Sequence, residues 1–210
     1  MVETLVYIHP TRLKEFGLEE FFERIFVGIQ NELISLRRTI YNYEEHHYIF
    51  ALNERAWIGV FNNAIIRTFH NSSDTLQEFS VYNRKRKFIG RADFLVRWED
   101  EMVKKEYYMI FEAKQYEEKN LSNMLDDSGA YLNSIKKQGQ RYYNAESTYY
   151  NNKKVFIIPI VFGWIRKPGY LDKAKEYFDN ENRKDTSSDF CFLYFEGNVG
   201  AWIFGKIFRI

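Results

Sequence analysis

The sequence has little of what disulfide-rich, fibrous or membrane-spanning proteins are built from. A single cysteine, Cys191, excludes a disulfide within the chain, and three prolines and eleven glycines in 210 residues leave little material for linkers. The longest apolar run, Val155–Ile165, is far shorter than the roughly 20 residues that cross a bilayer. No signal peptide, internal repeat or low-complexity block is visible. We therefore expect one soluble, cytoplasmic domain, because the cytoplasm keeps thiols reduced.

Several enzyme signatures are missing as well. The chain has no Gly-x-Ser-x-Gly elbow, Walker loop, dinucleotide-binding glycine fingerprint or Cys-x-x-Cys pair. Its four histidines lack the spacing of zinc proteases. Since 30 basic residues balance 29 acidic ones, the net charge of +1 neither requires nor excludes a nucleic-acid partner.

Apolar spacing predicts helices and strands along the whole chain. Leu18–Leu36 keeps helical periodicity and predicts a long amphipathic helix that caps the core or binds a partner. Val155–Ile165 is apolar throughout, as expected of a central strand. Periodicity and turn residues predict the remaining elements: helices over Glu45–Phe69, Tyr131–Tyr149 and Tyr170–Phe178, and strands over Leu76–Tyr82, Ile89–Trp98, Glu106–Gln115, Phe190–Phe195 and Ala201–Arg209.

Two of these strands carry acidic residues beside apolar ones. If their hairpin is symmetric about Met102 and Val103, Asp93 and Glu112 are cross-strand neighbours, with Cβ atoms about 4.5 to 5.5 Å apart. Such a pair is destabilising unless a cation lies between the carboxylates, and oxygen ligands suit Mg²⁺ or Mn²⁺. Lys114 shares a face with Glu112, where it could orient a water or neutralise a phosphate.

A simpler interpretation of these charges stays open. Charged residues commonly mark where a strand meets solvent, and an acid followed later by Glu-x-Lys occurs by chance in many chains. The apolar flanks Phe94–Val96 and Met109–Phe111 favour the functional interpretation, because they set both acids against strand cores rather than in turns.

Asp93 followed by Glu112-Ala113-Lys114 resembles the motif of the PD-(D/E)XK nuclease superfamily, although Ala92 replaces the proline of the name motif. The resemblance implies that Asp93, Glu112 and the Ala113 carbonyl bind Mg²⁺, for which Mn²⁺ can substitute, and that Lys114 positions the attacking water. The implied activity is hydrolysis of DNA phosphodiester bonds by metal-activated water, in DNA processing, restriction or defence. RNA as the substrate, or an inactive module of this fold that binds nucleic acid or a protein, are the alternatives.

The resemblance also implies an α/β fold and its division along the chain. A restriction-endonuclease-like catalytic core, a central mixed β-sheet flanked by helices, would span residues 45–165. An N-terminal helical cap would occupy residues 1–44, and a C-terminal helix and strands would occupy residues 166–210. The N-terminal helix could also join a protein partner or a second copy of the chain.

In many superfamily members a glutamate on the helix before the sheet completes the metal site, and Glu54 matches it. Glu54 projects from the same helix face as Trp57 and Phe61, where an unpaired charge would be costly. Alternatively, Glu54 lies in the first helical turn and stabilises the helix dipole.

Two further sets of residues are expected to contact the substrate. Gln138 and Tyr142 are similar to the Q-x-x-x-Y motif of the RecB-like exonuclease branch, and one helical turn separates them, so they face the same way. The basic run just before the Asp93 strand could reach phosphates, although it could equally be a solvated hairpin tip. This run and its neighbour comprise Arg84, Lys85, Arg86, Lys87 and Arg91.

Overall fold

In the computed structural model, the chain folds as a mixed α/β protein with a large mixed β-sheet flanked by helices. The structure describes residues 2–41, 54–82, 88–116, 128–145, 149–150, 152–165, 168–179, 188–196 and 199–210. Within these ranges, no helix has both the length and the apolar character needed to cross a membrane.

The described part of the chain contains five helices and eight strands. The helices are α1 (Pro10–Phe16), α2 (Glu19–Tyr41), α3 (Glu54–Thr68), α4 (Ser128–Ala145) and α5 (Pro168–Asp179). The strands are β1 (Val2–Ile8), β2 (Ser73–Tyr82), β3 (Phe88–Asp100), β4 (Lys105–Tyr116), β5 (Lys154–Ile165), β6 (Phe190–Glu196), β7 (Val199–Gly205) and β8 (Phe208–Arg209).

The strands form one sheet in the order β1-β6-β7-β5-β4-β3-β2, with β8 pairing the start of β5. β2, β3 and β4 form an antiparallel meander, as the sequence predicts. β4 and β5 pair in parallel, and α4 lies in the connection between them. A parallel pair needs such a crossover, because a tight turn reverses the chain direction and would leave the two strands antiparallel.

Both faces of the sheet are covered, and β5 is buried on each of them. One side of β5 joins the core formed with α2 and α3 through Phe156, Ile158 and Ile160. The opposite side carries Val161 and Ile165, which pack with apolar residues of α4 and α5. The prediction of a central, doubly buried strand is therefore confirmed.

Helix α2 confirms the predicted N-terminal amphipathic helix and shows where its apolar stripe packs. Gly17, at φ 75°, ends α1 in the left-handed conformation and lets the chain turn into α2. The stripe is buried in the core shared with α3 and the sheet. Its fully or almost fully buried members are Phe21, Phe22, Ile25, Phe26, Ile29 and Leu33. The stripe is thus used within the chain, and binding of a partner through this helix stays a prediction.

Several predicted boundaries need correction. β1 and α1 were not predicted, and β1 places the N-terminal segment in the sheet beside β6. The single strand expected over Ala201–Arg209 is instead two, β7 and β8, which pair with different parts of β5. The helix expected over Glu45–Phe69 is described from Glu54 only, and its first part lies outside the described residues.

Distant segments of the chain meet at Asp189, just before β6. Its buried carboxylate lies 3.3 Å from the Arg12 guanidinium and accepts a 2.7 Å hydrogen bond from the Ile207 amide. Its backbone carbonyl accepts a 2.8 Å bond from the His9 amide. Burial raises the pKa of the Asp189 carboxyl above its ordinary value, although the hydrogen bond from the Ile207 amide and the charge of Arg12 both act to lower it.

Candidate metal centre

The β3–β4 hairpin has the register that the sequence predicts. Its cross-strand pairs run from Asp100–Lys105 to Phe94–Phe111, so the hairpin is symmetric about Met102 and Val103. The Asp100 carboxylate stabilises the turn by accepting hydrogen bonds from the amides of both central residues, at 3.0 and 3.2 Å. The next residues beyond the last pair are Asp93 and Glu112.

Asp93 and Glu112 point to the same face of the sheet. Leu95 packs with Tyr108 and Ile110 on the face that α4 covers. Side chains alternate along a strand, so residues two apart share a face. Asp93 lies two residues before Leu95 and Glu112 two residues after Ile110, so both point to the face that α4 covers. The Asp93 carboxylate accepts a 2.6 Å hydrogen bond from the Ala113 amide, which joins it to the backbone directly after Glu112.

The Glu112 side chain is completely buried, at 0% exposure, beneath helix α4. Gly139 allows this close packing: a Cβ at that position would lie 3.4 Å from Glu112 Cγ and 2.7 Å from Ile157 Cγ2. A carboxylate in such a position is costly unless other groups compensate its charge. Glu112 is therefore enclosed by the helix above it and the strands around it.

Lys114 lies on the same face, two residues after Glu112 on β4. In the parallel ladder Glu112 is opposite Pro159, and Lys114 is opposite Val161, whose side chain packs with residues of α4. The lysine is partly buried. The predicted acid, acid and lysine set is thus brought to one face of two neighbouring strands.

Gln138 and Tyr142 face the same way, as their spacing predicts. The Gln138 amide donates a 3.0 Å hydrogen bond to the Tyr142 hydroxyl, which in turn donates a 2.6 Å bond to the backbone carbonyl of Arg91. Burial raises the pKa of the Tyr142 phenol, and the negative charges of Glu112 and Asp93 raise it further. The Tyr142 hydroxyl thus lies against the β3 backbone two residues before Asp93, and a role of the Gln138–Tyr142 pair in substrate binding stays a prediction.

Glu54 begins helix α3, and its side chain is not among those that the structure describes. The next residue, Arg55, forms a 3.3 Å ion pair with Glu78 on β2. Since the neighbours of Glu78 pair with Phe94 and Ala92, Glu78 stands opposite Asp93. This contact ties the start of α3 to the strand beside Asp93. Both predictions for Glu54, a metal ligand or a first-turn charge, stay open.

The basic residues differ in what the structure describes. Arg84, Lys85, Arg86 and Lys87 lie outside the described residues. The Arg91 side chain is exposed to solvent, and its backbone carbonyl accepts the hydrogen bond from Tyr142. Phosphate binding by these residues stays a prediction.

The donor atoms fit a hard divalent cation. In the part of the chain that is described, no three side chains of His, Cys, Asp or Glu form a metal-binding group. Mg²⁺ needs only one or two carboxylates, because water and substrate phosphate complete its coordination. The N–H and C=O of a strand residue face the same neighbouring strand, so the Ala113 carbonyl faces the side on which Asp93 binds its amide. Asp93, Glu112 and this carbonyl would be the ligands.

Two glycines shape the site by allowing close packing, and this role was not predicted from the sequence. Gly139 lets α4 approach Glu112, and Gly90 lets the Tyr142 hydroxyl approach β3, because a Cβ at position 90 would lie 2.8 Å from that oxygen. The available signal was their position: a glycine inside a helix or strand often marks a close approach of another part of the chain.

The comparisons with known proteins add no family. No protein-family model matches the chain, and no curated protein matches it.

Proposed function

We propose that this chain is a Mg²⁺-dependent nuclease with a restriction-endonuclease-like core, hydrolysing phosphodiester bonds of DNA in DNA processing, restriction or defence. The observation that carries the proposal is the convergence of Asp93 and Glu112. The Asp93 carboxylate accepts a hydrogen bond from the Ala113 amide, directly after Glu112, and the Glu112 side chain is completely buried. The preference for DNA rests on the resemblance to the PD-(D/E)XK superfamily.

Each residue has a separate role in the proposed reaction. Asp93, Glu112 and the Ala113 carbonyl hold the cation, with Glu54 as a further ligand. When bound, Mg²⁺ supplies an acidified water and neutralises charge on the phosphate. The Lys114 ammonium orients that water and offsets the negative charge that develops on the phosphate oxygens. The cover of α4 over Glu112 keeps bulk water away and strengthens these electrostatic interactions.

The test is a cleavage assay with purified protein on linear duplex, circular duplex and single-stranded DNA, and on RNA. Each substrate is incubated with Mg²⁺, with Mn²⁺ and with EDTA. We expect cleavage only with a divalent cation. Asp93→Asn, Glu112→Gln and Lys114→Met should each reduce the rate roughly 100-fold or more, as the loss of one preorganised charged group does.

Matched variants on β2 and β4 separate loss of chemistry from general damage to the sheet. Asp74→Asn on β2, and Glu106→Gln and Lys105→Met on β4, change the same residue types at exposed positions. These controls should retain wild-type rates. Cleavage that persists in EDTA, or in Asp93→Asn, would refute the metal mechanism. A wild-type protein that binds nucleic acid but cleaves none of the substrates would instead support the inactive binding module.

A further inference from the structure

The hydrogen bonds of Tyr142 leave its hydroxyl without a proton for a substrate. A tyrosine hydroxyl has one proton to donate, and phosphate oxygens in a nucleic-acid backbone only accept. Tyr142 donates its proton to the Arg91 carbonyl over 2.6 Å and accepts from Gln138 over 3.0 Å. The side chain is also 6% exposed.

The contact between Tyr142 and Arg91 lies where β3 no longer pairs with β4. The pairing of β3 with β4 ends at Phe94–Phe111, whereas pairing with β2 continues past Ser80–Arg91. Before Phe94, the described backbone of β3 therefore pairs with β2 alone, and β2 is an edge strand. Strand ends held on one side open more easily than doubly paired ones. Asp93 belongs to this less supported part of β3.

Tyr142 supplies a second support at this point. Gly90 brings the β3 backbone against the tyrosine hydroxyl, since any Cβ there would lie only 2.8 Å from it. Two residues after Arg91, the Asp93 carboxylate binds the Ala113 amide over 2.6 Å. The contacts thus connect α4 to β3, and β3 to the part of β4 that carries Glu112.

We propose that Tyr142 is a positioning residue: it holds the β3 backbone at Arg91 so that Asp93 stays beside Ala113 and Glu112. Gln138 fixes the direction of the hydroxyl proton. This assigns the Gln138–Tyr142 pair to the support of a metal ligand rather than to contact with the substrate strand. The catalytic consequence rests on the proposed nuclease function, whereas the structural consequence does not.

Amide hydrogen exchange of Ala113, measured by NMR without metal, tests the positioning role directly. Tyr142→Phe keeps the ring and removes the hydroxyl, leaving the Arg91 carbonyl unsatisfied. We expect exchange of the Ala113 amide to accelerate between about 5-fold and about 150-fold, relative to the Phe192 amide on distant β6 as an internal reference. Gly90→Ala, which displaces the hydroxyl, should act in the same direction.

The matched control is Tyr143→Phe, which removes a hydroxyl from the adjacent residue of the same helix. It should leave the exchange of both amides unchanged. If Tyr142→Phe folds and Ala113 exchanges as in the wild type, the proposal is overturned. It is also overturned if Ala113 and Phe192 accelerate equally, because that result reports only a loss of global stability.

Kinetics separate positioning from substrate contact. With a cleavable DNA, Tyr142→Phe should lower kcat and leave KM unchanged, whereas a raised KM at unchanged kcat would overturn the positioning role. If the wild type cleaves no nucleic acid, the nuclease proposal fails and the exchange data still decide the role of Tyr142. If the wild type cleaves but Ala113 exchange does not respond, only the positioning role fails.

Discussion

Replacing Gly139 by alanine opposes two effects whose magnitudes can be compared. Alanine is favoured over glycine in a helix interior by about 1 kcal/mol. The added Cβ, however, would lie 2.7 Å from Ile157 Cγ2, a methyl on a fully buried side chain. Overpacking of this kind costs about 1 to 3 kcal/mol. We therefore expect Gly139→Ala to be destabilising by up to about 2 kcal/mol.

Gly59→Ala is the matched control, because it places the same change inside helix α3 where, apart from the adjacent residues and the local helix backbone, no described atom lies within 4 Å of the new Cβ. This variant gains the helix propensity without the clash, so it should be more stable than the wild type by up to about 1 kcal/mol. The difference between the two variants isolates the steric cost, about 1 to 3 kcal/mol.

Urea denaturation measures both variants, provided that the slope of the transition is unchanged. In thermal unfolding, each kcal/mol corresponds to a shift in Tm of about 2 to 4 °C for a chain of this length. Equal stability of Gly139→Ala and Gly59→Ala would refute the close packing of α4 on β5. The close cover of this helix over Glu112 would be refuted with it.

Two further predictions concern the buried carboxylates. Saturating Mg²⁺ at 100 times its Kd should stabilise the wild type by about 2.7 kcal/mol, a rise in Tm of about 5 to 10 °C. Glu112→Gln should abolish this rise, because it removes a proposed ligand; an unchanged Mg²⁺ response in differential scanning fluorimetry would contradict the ligand assignment. The Asp189 carboxyl has a folded-state pKa above its ordinary value of 3.8, so the folded protein binds this proton more tightly than the unfolded chain does. The contribution of Asp189 to stability is therefore complete below pH 3.8 and falls as the pH rises through the folded-state pKa. Over this pH interval the wild type should lose stability relative to Asp189→Asn. Parallel pH profiles of the two proteins would contradict a raised pKa for Asp189.

The hairpin at the candidate site could be predicted because its determinants are local. A polar turn around Met102 and Val103 and strict alternation on both sides are enough to set the register that places Asp93 beside Glu112. The Gln138–Tyr142 contact is equally local, since one helical turn separates the two residues. Such features depend on neighbours in sequence, which a single chain reveals.

The remaining features depend on contacts between distant segments. β1 was missed because its pattern has meaning only against β6, its partner at the far end of the chain. The spacing of Gln138 and Tyr142 could not reveal that the hydroxyl binds the backbone of Arg91. The same spacing could not reveal which turn of α4 covers Glu112. That turn contains Gly139, whose packing partners become visible only in the structure.

The pairing of β1 with β6 makes the order of synthesis matter for folding. Ile8 is bonded opposite Phe190, so β1 must wait for most of the remaining chain to leave the ribosome before its partner exists. With about 180 residues between them and synthesis at about 5 to 20 residues per second, the delay is roughly 10 to 40 s. During that interval the nascent, largely apolar β1 lacks its native strand partner. We expect chaperones that shield such segments to raise the yield of folded protein during translation.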